Sequence, residues 1–164
     1  MDDNLSQLKA SVYDKCGLAI SDLETESESK EYDACRFRLN GKYVLCRNAK
    51  ITPKKLGQFV TFWRRNQNGT IEPFHESDEI DFYVVNVSKE NLLGQFVFPK
   101  SILIKKGIMS TDKKEGKRAF RVYPIWDTTN NKQAESTQNW QLEYFYELNN
   151  AIGFDRVVGL YKKR

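Results

Sequence analysis

The chain holds 164 residues, 40% hydrophobic and 13% aromatic, enough for one core without staples and too apolar for a fully disordered protein. No apolar run approaches the roughly 18–20 residues of a membrane span, so membrane insertion is not expected. The formal charge of +4 is unevenly placed, with nine acids against three bases in residues 1–33 and thirteen acids against twenty-three bases in residues 34–164.

The first helix is expected over about residues 4–16, where Leu5, Leu8, Val12 and Cys16 keep helical spacing. Asp3 or Asn4 would cap it and Gly17 would stop it. Residues 21–31 are acidic and polar and read as a solvated connector, or as a cover for basic surface when no ligand is bound. The runs YDACRFRL and KYVLCRNAK then flank Asn40-Gly41, the dipeptide of a two-residue type I′ hairpin turn. That turn sets the register, pairing Leu39 with Lys42, Phe37 with Val44 and Cys35 with Cys46. Cys35, Phe37 and Val44 then share a buried face, while Arg36, Arg38, Tyr43 and Arg47 share an exposed basic one. The opposed cysteines could be bridged if oxidised, but read as reduced core residues in a cytosolic protein.

Thr52-Pro53 opens an expected second helix to about Asn66, with Leu56, Phe59, Val60 and Trp63 on one stripe. A turn-rich stretch leads to a strand at 80–87, and Gly94 begins another, GQFVFPK, that Pro99 ends or leaves at an edge. A short helix over Ser101–Lys106 stops at Gly107. The loop TDKKEGK precedes a strand at 118–126. A last helix is expected over about 132–148, its Trp140, Tyr144 and Leu148 packed in the core, with residues 150–164 as a tail. The order α-β-β-α-β-β-α-β-α predicts one α/β (α+β) domain over residues 1–164, a single mixed sheet flanked by helices with an N-terminal hairpin.

Much chemistry is excluded. Cys16, Cys35 and Cys46 lack any C-x-x-C spacing, so a zinc site is not expected. His75 is the single histidine and sits in a turn-rich stretch, which leaves one candidate base for any Ser-His-Asp or Cys-His arrangement. GxSxG, P-loop and GxGxxG motifs are absent. No cofactor or metal is implied, and the acidic, polar start MDDNLSQLKA is neither a signal nor a transit peptide, so the expected location is the cytoplasm.

One constellation is partly met. Nucleases of the PD-(D/E)xK class hold a divalent cation with an Asp on one strand and an acid on the next, two residues before a Lys. Asp81 and Lys100 sit at the corresponding places, but Phe98 stands where the second acid belongs. The pattern resembles that site with its catalytic half missing. Glu79 or Glu90 would have to substitute if a metal-dependent nuclease is intended.

GQFVFPKSILIKKGI (94–108), GKRAFRVYPIWD (116–127) and TQNWQLEYFYEL (137–148), in that order, resemble the MepB family of small cytoplasmic bacterial proteins. That family takes its name from a gene carried beside a multidrug efflux pump and its repressor. The resemblance spans the first helix to about residue 148. It implies a stand-alone domain of restriction-endonuclease-like fold without a settled activity, and supplies no catalytic residue.

Residues 34–71 contain nine bases and no acid, and such asymmetry points to a polyanion, in a cytosolic protein usually nucleic acid. Lys100, Lys105 and Lys106 surround the short helix at 101–106, and a helix start beside a lysine is a phosphate site. Lys113, Lys114, Lys117 and Arg118 extend the field, while Arg121 and Tyr123 alternate with apolar residues on a strand. The leading expectation is therefore a nucleic-acid-binding protein of weak sequence preference. Arg36, Arg38, Lys100, Lys105, Lys106, Lys117, Arg118 and Arg121 would contact phosphates, and Tyr43 or Tyr123 would stack on bases. The alternatives are a divalent-metal-dependent nuclease at Asp81 and Lys100, or a protein-interaction accessory that docks through residues 21–31.

Overall fold

The computed structural model describes residues 1–149 and 152–164. The N-cap is Asp2, whose carboxylate accepts from the Asn4 N–H at 3.1 Å, just ahead of the expected cap. Helix α1 (Asp3–Leu8) continues through a π-helical turn (Lys9–Tyr13) and a 3₁₀ turn (Asp14–Cys16) until Gly17, at φ 70°, ends it.

Residues expected as an acidic connector form strand β1 (Ile20–Thr25), which pairs with β2 (Cys35–Leu39). Acids of β1 meet arginines of β2, with Glu24 opposite Arg36 and Asp22 4.0 Å from Arg38, so cross-strand charge attraction adds to the ladder of a segment too polar to bury. β2 and β3 (Lys42–Asn48) form the expected hairpin in the expected register. Arg47 departs from expectation. It is fully buried, donating to the Thr61 carbonyl at 2.8 Å and the Trp63 carbonyl at 3.3 Å. The segment from Thr61 to Trp63 covers this end of β3, whereas Tyr43, at the turn end, is exposed.

The expected helix at 53–66 is replaced by strands. After β4 (Lys50–Ile51), Lys54 and Gly57 take φ of 69° and 79°, values no helix contains. β5 (Gln58–Thr61) and β6 (Trp63–Arg65) follow, with Gln58, Val60 and Phe62 buried in strict alternation. β6 pairs with β7 (Ile71–Pro73). Then come β8 (Phe82–Lys89), β9 (Leu92–Pro99), α2 (Lys100–Lys105), β10 (Ala119–Val122) and α3 (Lys132–Leu142). α3 ends at Leu142 rather than near 148, because residues beyond it join β9 as β11 (Phe145–Glu147). Of the expected tail, residues 150 and 151 lie outside the described residues, and the rest holds α4 (Phe154–Leu160), which buries Val157 and Leu160.

The main sheet is mixed and six-stranded, in the order β1-β2-β3-β8-β9-β11, with β3 and β8 parallel. Two smaller sheets, β10-β5-β4 and β6-β7, accompany it, so the sheet structure is not single. Leu5, Leu8 and Val12 from the first helix and Val157 and Leu160 from α4 share a core with one face, including Phe37, Val44, Phe82 and Val97. The small sheets and α2 cover the other face, where Phe62 stacks on Tyr83 with ring centroids 4.4 Å apart. Burial of the apolar side chains on both faces supplies the main driving force. Among the described residues no helix is long and apolar enough to cross a membrane.

Candidate functional site

The residues expected to bind nucleic acid, apart from Lys105 and Arg118, line three separate clefts. The first, of about 480 Å³, lies at the hairpin and is lined by Arg36, Arg38 and Tyr43 together with Asp22, Glu24 and Glu79. Arg36 lies 3.6 Å from Glu26 and Arg38 4.0 Å from Asp22. The Arg38 guanidinium also rests over the Tyr43 ring, 4.6 Å from its centroid, and donates to the Tyr43 hydroxyl. Acids of β1 and its flank thus balance the basic hairpin, and an incoming phosphate would compete with carboxylates already in place.

The second cleft, of about 430 Å³, holds Asp81 and Lys100 beside Lys42, Lys163 and Arg164. Asp81 closes the start of the β3–β8 pair, its carboxylate accepting from the Tyr43 N–H at 2.8 Å. The Lys100 ammonium does not project toward a ligand. It donates to the Glu76 and Asp78 carbonyls at 2.8 Å each and clamps the 76–78 turn. At six residues α2 is also too short to offer the anion site expected at its start. Phe98, at the place of the missing acid, is fully buried with Phe96, Phe120 and Trp140 around it. Neither substitute acid is placed to help. Glu79 lines the hairpin cleft, and Glu90 lies beyond the far end of β8, roughly 25–30 Å away along an extended chain. Among the described residues no group of three His, Cys, Asp or Glu side chains could hold a metal ion.

The third cleft, of about 440 Å³, lies between the end of α2, strand β10 and helix α3. Lys106, Lys117, Arg121 and Tyr123 all line it, with Phe120, Trp140 and the α3 residues Gln133 and Thr137. Not one carboxylate is among its lining residues. Three features build it. Gln141, fully buried, accepts from the Tyr123 N–H at 2.9 Å and donates to the Arg121 carbonyl at 2.9 Å, fastening α3 along β10. Arg121 reaches under the cleft, donating to Thr52 Oγ1 at 2.6 Å and to the Leu56 and Gly57 carbonyls. It is half-buried rather than projecting freely, so it adds positive field more than a movable contact. Gly116 lies so close to the Ile108 carbonyl that a Cβ would clash with it, and the Lys117 N–H donates to the same carbonyl at 2.8 Å, holding Lys117 near the end of α2.

Lys105 is exposed on α2. Arg118 is exposed too, but ion-paired with Glu115 at 3.0 Å. Trp140 is the lining residue that sequence reasoning assigned wholly to the core, since its helical spacing with Tyr144 carries the same signal whether one ring edge is open or not. His75, the single histidine, sits between Ser77 at 2.8 Å and Asp112 at 3.1 Å in a half-exposed turn.

The MepB-like family model matches residues 26–147. The crystal structure of MepB is similar at 36% identity and a TM-score of 0.79, covering 92% of this chain and 99% of that one. The structure of a bacterial homing endonuclease aligns with 78% of this chain and 80% of its own, at 17% identity and a TM-score of 0.42. No curated protein matches the chain.

Proposed function

The chain belongs to the MepB-like family, and from that premise we propose that it binds nucleic acid through the phosphate backbone, with weak sequence preference, in the cleft between α2, β10 and α3. One observation carries this reading: Lys106, Lys117 and Arg121 converge on a cleft that no carboxylate lines. Each unpaired ammonium there would displace a condensed counterion when a phosphate arrives, which makes binding favourable and steeply salt-dependent. Lys105 precedes Lys106 on the chain and is exposed. Such contacts fix position on a strand and carry little sequence information. Binding of this kind requires no hydrolytic site, and Asp81 and Lys100 are engaged with backbone groups.

A salt titration of binding to mixed-sequence oligonucleotides tests the proposal. Lys106→Ala and Lys117→Ala should each weaken binding to every sequence alike and flatten the log–log salt slope by roughly one unit. Arg36→Ala should leave the slope near the parent value, because that charge already faces Glu26. Unchanged slopes in both lysine variants would remove the cleft from the reading.

A further inference from the structure

We infer that the nucleic acid taken by this cleft is single-stranded, with one unpaired base laid on the indole of Trp140; the inference rests on the nucleic-acid reading above. Trp140 is half-buried in the cleft wall, its ring packed on Phe98 with centroids 5.6 Å apart. The Lys106 ammonium lies over the same indole, 5.3 Å from its centroid. A cation and a nucleobase compete for one π face, and both are attracted by it. When a base arrives, Lys106 is already beside the phosphate of the same nucleotide, so the ammonium exchanges its attraction to the ring for an ion pair with the strand.

The shape of the cleft favours an unpaired strand. Its volume of about 440 Å³ falls in the range of sites that enclose small molecules, roughly 300–1,000 Å³. A duplex is convex and turns its stacked base faces inward. Its phosphates could reach the exposed Lys106 and Lys117, but its stacked bases could not lie on the half-buried ring of Trp140. A single strand can turn a base out and bury it there. Gln133, Thr137 and Trp140 follow one another at helical spacing on the α3 face that lines the cleft. Hydrogen-bonding side chains therefore stand beside the stacking ring, where a base edge would lie.

The test compares one labelled short oligonucleotide, single-stranded and annealed to its complement, by fluorescence anisotropy at low and high salt. The single strand should bind more tightly than the duplex. Trp140→Leu should cost the single strand roughly 5- to 150-fold, the value of one stacked base, and Trp140→Phe should retain most of the affinity. Trp140→Leu should cost the duplex several-fold less than the single strand. In the parent protein the single strand should quench tryptophan emission, and Trp140→Phe, which keeps Trp63 and Trp126, should abolish the quench; this arm stands even if Trp140→Leu does not fold. Equal or tighter duplex binding, or a quench that survives Trp140→Phe, overturns the single-strand inference and leaves backbone binding intact. Failure of both forms to bind at low salt overturns backbone binding itself.

Discussion

A lysine ammonium carries three donors, and at Lys100 two of them end on main-chain carbonyls of one turn. The same turn is closed by Asp78, whose carboxylate accepts from the His75 N–H and from Arg64 Nε at 2.8 Å each. Lys100→Ala would strand the half-buried Glu76 carbonyl and leave the Asp78 carbonyl with only its bond from the Ile80 N–H, at about 1–3 kcal/mol for a lost partner of this kind. The expected outcome is a lower urea midpoint with an unchanged salt slope for nucleic-acid binding; a flattened slope at full stability would restore Lys100 to the interface. In the main core, three tyrosine hydroxyls converge on one Gln95 carbonyl oxygen, which has only two lone pairs. The set closes if Tyr146 and Tyr161 donate to Gln95 while Tyr13 donates to Tyr161, 2.6 Å away. No hydroxyl is then left unpaired among residues that water does not reach.

The element that shapes the binding cleft from below is the β5–β10 pair, with Gln58 opposite Val122. Gly57 leads into it at φ 79°, and a Cβ there would stand 2.7 Å from the Tyr123 ring and 3.0 Å from the Val122 carbonyl. Gly41, at φ 83° in the hairpin turn, has open space around its missing Cβ. Both substitutions to Ala carry the left-handed backbone cost of about 1–2 kcal/mol. Only Gly57→Ala adds overpacking, a further 1–3 kcal/mol or so. Chemical denaturation should therefore rank Gly57→Ala well below Gly41→Ala, and equal losses would show that Tyr123 gives way freely. The hairpin was legible in the sequence because Asn40-Gly41 admits few other conformations, and it delivered the register residue by residue. The stretch at 52–66 was not. Leu56, Phe59, Val60 and Trp63 satisfy a helical stripe, while Gln58, Val60 and Phe62 satisfy a strand, and local pattern cannot choose between them. Long-range pairing with β10 decides it. The same limit hid the end of α3, whose aromatic spacing runs on into β11. Of the candidate site, the bases at Lys106, Lys117 and Arg121 were legible as charge, but their convergence depends on Gln141 and Gly116, which carry no sequence signal for binding.

Across the whole molecule, burial pushes the hydroxyls of Tyr13, Tyr83, Tyr146 and Tyr161 above the usual tyrosine range. The unfolded chain releases these protons near pH 10, while the folded chain still holds them. Their contribution is complete below that pH and is lost as pH rises above it, by about 1.4 kcal/mol per pH unit for each tyrosine. Urea midpoints between about pH 9 and pH 11 should fall steeply, and Tyr161→Phe should make the fall shallower by one tyrosine's share. A midpoint flat across that range would contradict the burial of these hydroxyls. Charge is arranged at the same scale: the acids of β1 and its flanks answer Arg36, Arg38 and Arg47, and the α2–β10–α3 cleft keeps positive side chains with no carboxylate in its lining. The most direct test of that arrangement is lysine footprinting, in which surface amines are acylated with and without a short single-stranded oligonucleotide and read by mass spectrometry. Lys106 and Lys117 should be protected while Lys15 and Lys42 react as before. Protection of Lys42 and Lys163, with Lys106 and Lys117 still reactive, would place the ligand at the Asp81 cleft and contradict the assignment.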